Sequence, residues 1–168
     1  MRLLFIGDVV GRPGREGLAK AMPELRAERM PDLIVVNGEN AAGGVGITEE
    51  TAKDLFEAGA DVITLGNHAY RHREVYGYLG SEQRIVRPAN FHQSNPGRGH
   101  TIVDAAGMRV AVISLSGQMH LQVERNPFPK LDRRDAVRDA DQEQRHEKWV
   151  SGRPRRTTTT SANPARTR

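Results

Sequence analysis

Three short apolar runs organise the first part of the chain: RLLFIG (2–7), DLIVVN (32–37) and DVITLG (61–66). Each is nearly continuous in apolar residues and each runs into glycine, the pattern of a strand buried on both faces. Between them the period changes to that of a helix. Leu18, Met22 and Leu25 fall at i, i+4 and i+7, and Ala52, Leu55 and Phe56 form a second stripe. Pro13 suits the opening turn of the first helix, and Pro23 is expected to break it. Thr48 is placed to cap the second helix and Gly59 to close it. REVYGYL (73–79) predicts a short third helix, and RIVRPAN (84–90) follows it. HTIVDAAGMRVAVISL (100–115) reads as a hairpin turned at Ala106 and Gly107. Strands alternating with helices predict an α/β fold whose main sheet is mostly parallel, with helices on its faces.

The pattern stops after Phe128. From Asp132 onward there is no Leu, Ile, Met or Phe, and the last stretch is rich in arginine, threonine and proline. This predicts a domain over residues 1–130 and a polar, basic, disordered tail over 131–168. Charge follows the same division. Residues 1–128 hold 14 basic and 15 acidic side chains, while residues 129–168 hold 11 and 6. The net charge of +4 therefore belongs to the tail. With six acids interspersed and Trp149 its one aromatic, the tail reads as a solvated charge run rather than a specific RNA-binding segment. There is no cysteine, which removes disulfides and thiolate metal sites and fits a reducing cytoplasm. No apolar run approaches the roughly 20 residues of a membrane-spanning helix.

Polar residues gather where the strands end. Asp8 follows the first, Glu39 and Asn40 the second, and Asn67 and His68 the third. A single such residue reads as a turn or a helix cap. Three in succession, each beside a glycine, read as a site, because the carboxyl ends of parallel strands lie along one edge where ligands bind. Carboxylates, amide oxygens and an imidazole are hard-to-borderline donors suited to manganese, iron or zinc. A bridging carboxylate such as Glu39 can hold two cations about 3.5–4 Å apart, the arrangement used in two-metal phosphoryl chemistry, with His68 protonating the leaving oxygen. A dinucleotide loop is excluded: Gly7, Gly11 and Gly14 lack the G-x-G-x-x-G spacing, and Asp8 would repel a pyrophosphate. The glycine-rich AAGGVG (41–46) is flexible enough to approach a phosphate. Tyr70, His72, Tyr76 and Tyr78 are candidates either to flank a substrate or to pack on the sheet edge.

Four segments carry a resemblance. GDVVGRPGR (7–15), VVNGENAAGGVGIT (35–48), ADVITLGNHAY (60–70) and IVRPANF (85–91) together resemble the calcineurin-like metallophosphoesterases, specifically the YmdB-like branch of 2′,3′-cyclic-nucleotide phosphodiesterases. The resemblance implies the N-terminal part of a four-layer αββα sandwich around two divalent metal ions, iron or manganese. It implies Asp8 and Asn40 as ligands of one metal, Asn67 of the other, Glu39 bridging both, and His68 as general acid. The substrate implied is a 2′,3′-cyclic nucleotide or related phosphodiester, cleaved through a metal-bridging hydroxide. Val10 stands where the wider superfamily has a ligating histidine. The family's later segments, which supply three further histidine ligands, have no counterpart here. The expectation is therefore a C-terminally truncated or frame-shifted chain with impaired activity and an exposed apolar surface prone to self-association. The alternative is a non-catalytic remnant or a weak phosphate- or RNA-binding module.

Overall fold

The computed structural model describes residues 1–117. The expected domain end near residue 130 and the expected disordered tail lie outside the described residues. Four parallel strands form the main sheet in the order β1 (Leu3–Ile6), β2 (Leu33–Asn37), β3 (Val62–Thr64) and β4 (Ile85–Val86). Register sets Leu3 beside Leu33, Val35 beside Val62 and Ile63 beside Ile85. Three helices connect the strands: α1 (Gly11–Arg29), α2 (Glu49–Glu57) and α3 (Tyr76–Ser81), the last preceded by a 3-10 turn at Arg73–Val75. A hairpin of β5 (His100–Ala105) and β6 (Met108–Ile113) completes the described part.

Alternation along the strands divides the core in two. Ile34, Val36, Ile63, Leu65 and Ile85 face the helices and pack with Leu18, Met22, Leu55 and Leu79. Leu33, Val35, Val62 and Val86 face the other way and meet Ala105, Val103, Val110 and Val112 of the hairpin. Helices, parallel sheet and hairpin are thus successive layers, and both faces of β2 are buried as its unbroken apolar run predicts.

Local chemistry sets most boundaries. Thr48 and Thr51 form a capping box, with Thr51 N donating to Thr48 Oγ1 at 3.3 Å and Thr48 N donating to Thr51 Oγ1 at 2.9 Å. After α2, Gly59 at φ +110° allows Gly59 N to bond Phe56 O and Ala60 N to bond Leu55 O, closing the last turn. Ala106 and Gly107, at φ +50° and +72°, turn the hairpin as expected. The expected break in α1 is not found. Helix α1 continues through Pro23 to Arg29. The proline ring lies on the exposed face, while Leu18 and Met22 on the opposite face are buried, so packing outweighs the lost hydrogen bond.

β1 is the outer strand of the sheet. Leu3 and Phe5 lie on its hairpin-side face yet remain 55% and 59% exposed. Arg2 O accepts from Asp32 N and Leu33 N, so the backbone groups of Arg2 face β2. By alternation those of Leu3 and Phe5 point away from the sheet. Among the described residues, no helix is long and apolar enough to cross a membrane.

Candidate active site

The carboxyl ends of β1, β2 and β3 converge as the parallel order requires. The loop after β1 is stitched to the loop after β2 by Val9 N to Asn37 O, 3.0 Å, and Gly11 N to Asn40 O, 2.8 Å. The loop after β2 is joined to β3 by Gly38 N to Thr64 O, 3.0 Å. Just before the first of these stitches, Asp8 adopts φ +35°, a left-handed conformation uncommon for a residue with a side chain. Such a departure from relaxed backbone geometry concentrates at functional positions.

Asn40 occupies the centre. Its Nδ2 donates to Asp8 Oδ1 at 2.7 Å, and its Oδ1 lies 2.6 Å from His68 Nδ1. An ionised carboxylate only accepts, so Asp8 determines which end of the amide it meets. Oδ1 is then left to face the imidazole, and His68 must carry its proton on Nδ1 to make the second bond. The neutral ring therefore presents an unprotonated Nε2, and the charged ring presents Nε2–H as an acid. Two hydrogen bonds thereby fix a histidine tautomer from two strands away.

Glu39 lies half-buried beside this line. Its Oε2 accepts from His68 N at 3.4 Å, and its own N–H donates to Asn37 Oδ1 at 3.3 Å. Asn67 is exposed on the turn that carries His68. All five residues expected from the sequence therefore sit at one edge, and hydrogen bonds link four of them: Asp8, Asn40, His68 and Glu39.

The flanking candidates are occupied by structure. Tyr70 packs edge-on against Tyr76, with ring centroids 5.6 Å apart, and donates its hydroxyl to Pro96 O at 2.8 Å. Tyr76 donates to Tyr70 O at 3.2 Å. His72 Nε2 donates to Val45 O at 2.9 Å and so holds the glycine-rich loop, which also closes on itself through Ala42 N to Gly46 O. Arg15 was not singled out by its sequence position. From α1 it bonds both Asp54 Oδ2, at 2.8 Å, and Ala41 O, tying α1, α2 and that loop together.

The donors at this edge suit hard divalent cations in kind: two carboxylates, with amide oxygens beside them. Among the described residues, no group of three or more His, Cys, Asp or Glu lies close enough to hold a metal ion. A donor set drawn from the described residues at this edge would include the amides. Asn40 Oδ1 has two lone pairs and can serve His68 and a cation together. The cradle around Glu39 also fits, because its carboxylate fills the space that a side chain at residue 66 would otherwise occupy.

The model of the YmdB-like protein family matches residues 4–148. The chain belongs to the YmdB-like family. It is 45% identical over 132 residues to a 2′,3′-cyclic-nucleotide 2′-phosphodiesterase of Bacillus subtilis, covering 79% of this chain and 50% of that protein. It is 28% identical over 147 residues to a putative phosphatase/phosphodiesterase of Mycoplasma genitalium, covering 84% of this chain and 52% of that one. Among solved structures, a hypothetical protein from Thermus thermophilus superposes with a TM-score of 0.74 at 40% identity, over 79% of this chain and 52% of the other. A novel phosphatase from Mycoplasma pneumoniae gives a TM-score of 0.73 at 29% identity, over 83% and 52%. These likenesses establish the α/β fold of the family for this YmdB-like chain, which spans about half the length of the curated relatives it matches.

Proposed function

We propose that this edge is the site of a metal-dependent phosphodiesterase acting on 2′,3′-cyclic nucleotides or a related phosphodiester. The observation that carries the reading is the line from Asp8 through Asn40 to His68, in a chain whose Bacillus subtilis relative is named for that activity. In this reading Asp8, Glu39, Asn40 and Asn67 would hold two divalent ions, iron or manganese, with Glu39 serving both. Such ions supply charge neutralisation at the phosphoryl oxygens and lower the pKa of bound water toward neutrality. His68, held at Nδ1 by Asn40, delivers a proton from Nε2 to the departing oxygen. Asp8 has two tasks in this reading: it orients the Asn40 amide, and it would offer its carboxylate to a metal ion.

The test is hydrolysis of a 2′,3′-cyclic nucleotide in Mn²⁺ or Fe²⁺ by the full chain and by Asp8→Ala and His68→Ala. Hydrolysis that falls at least about 100-fold in both variants is expected, the scale of a lost general acid. Equal rates in the parent chain and Asp8→Ala would remove the assignment.

The reading includes a second copy of the chain as a partner. The outward backbone groups of Leu3 and Phe5 and their exposed side chains form one apolar strand edge. An antiparallel pair about a two-fold axis at Leu4 sets Leu3 of each copy opposite Phe5 of the other, which satisfies both parities.

A further inference from the structure

Gly66 lies between β3 and the turn carrying Asn67 and His68. A Cβ built on it would stand 2.7 Å from both Cδ and Oε1 of Glu39, and closer still to Oε2. The backbone does not require glycine there, since Gly66 is absent from the positions with positive φ that include Gly43, Gly44 and Gly46. Gly38 is a useful contrast. A Cβ there would meet Leu55 at 2.6 Å and Ile63 at 3.1 Å, both fully buried core residues that cannot swing aside. At Gly66 the obstructing atoms are the end of a flexible, half-buried side chain from the loop after the neighbouring strand. Glu39 could turn to water with little consequence for the fold. Among the described residues, its one side-chain hydrogen bond is the long one from His68 N.

We propose that Gly66 is a positioning residue: its missing side chain is the seat of the Glu39 carboxylate, which it holds over the turn bearing Asn67 and His68. The proposal rests on the reading of Glu39 as the shared metal ligand. The seat, more than any hydrogen bond, sets where that carboxylate stands. Alanine at residue 66 would push the carboxylate outward by at least about 0.7 Å, from 2.7 Å to the ordinary contact of 3.4 Å.

The experiment compares the full chain with Gly66→Ala, Glu39→Asp and the double variant. It measures Mn²⁺ affinity, thermal stability without metal, and a crystal structure of metal-free Gly66→Ala. The expected result is an unchanged melting temperature, a displaced Glu39 carboxylate, and Mn²⁺ affinity about 10- to 100-fold weaker, the scale of lost outer-shell support. The double variant should bind more tightly than Gly66→Ala, because the shorter aspartate is relieved of the new methyl. Parent-like affinity in Gly66→Ala, a melting temperature that falls with the affinity, or a double variant no better than Gly66→Ala would overturn the proposal. If the parent chain binds no Mn²⁺, the metal reading fails instead, and the crystal structure then decides: a displaced carboxylate retains the seat, and an unmoved one removes it.

Discussion

Asn40 Oδ1 and His68 Nδ1 lie 2.6 Å apart, although 28 residues separate them in the chain. The contact has a direction because Asp8 holds the other end of the same amide. His68 should therefore be an Nδ1–H tautomer when neutral. Two-bond ¹⁵N–¹H correlation of the imidazole reads this directly. Asn40→Ala should release the ring to a mixture of tautomers and cost about 1–3 kcal/mol of stability for the two hydrogen bonds lost.

Gly38→Ala and Gly66→Ala are the same chemical change with opposite expected outcomes. The first adds a methyl against Leu55 and Ile63 and should cost about 1–3 kcal/mol in denaturant unfolding. The second should leave stability unchanged. Equal losses at the two sites would contradict the contrast between core and carboxylate.

Burial raises the hydroxyl of Tyr70 from 10.0 to about 12, with nearby Arg87 opposing the shift. A group whose folded pKa is raised stabilises fully below its unfolded value, and that contribution is lost as pH climbs through the folded one. Stability should thus decline between pH 10 and about 12. Tyr70→Phe should lessen that decline and abolish a tyrosinate absorbance step near pH 12.

The open edge of β1 should make the apparent mass depend on concentration in light scattering. Phe5→Lys, which places a charge on the exposed edge, should shift the chain toward monomer. A parent chain that stays monomeric throughout would rule out β1 as a self-association surface.

Pro23 interrupts α1 without ending it. Pro23→Ala restores a backbone donor on the exposed face and should raise stability by up to about 3 kcal/mol, reduced by the greater freedom of the unfolded chain. A loss of stability would show that the ring itself packs.

Much of this was legible in the letters because its causes are local. Unbroken apolar runs and 3.6-residue spacing place the strands and helices, Thr48 caps α2, and Ala106-Gly107 turns the hairpin. Even the five residues of the candidate site are marked by position, since the parallel order brings strand ends to one edge. Pro23 shows where local reasoning stops: Leu18 and Met22 gain more from burial than the proline loses. The tyrosines show it again, because only packing reveals that the Tyr70 and Tyr76 hydroxyls already have backbone acceptors. What tertiary structure alone decided is the relation among the chosen residues. The Asn40 amide bridges Asp8 and His68, and Gly66 leaves room for Glu39, because sheet register sets distances between strands that no single stretch of sequence contains.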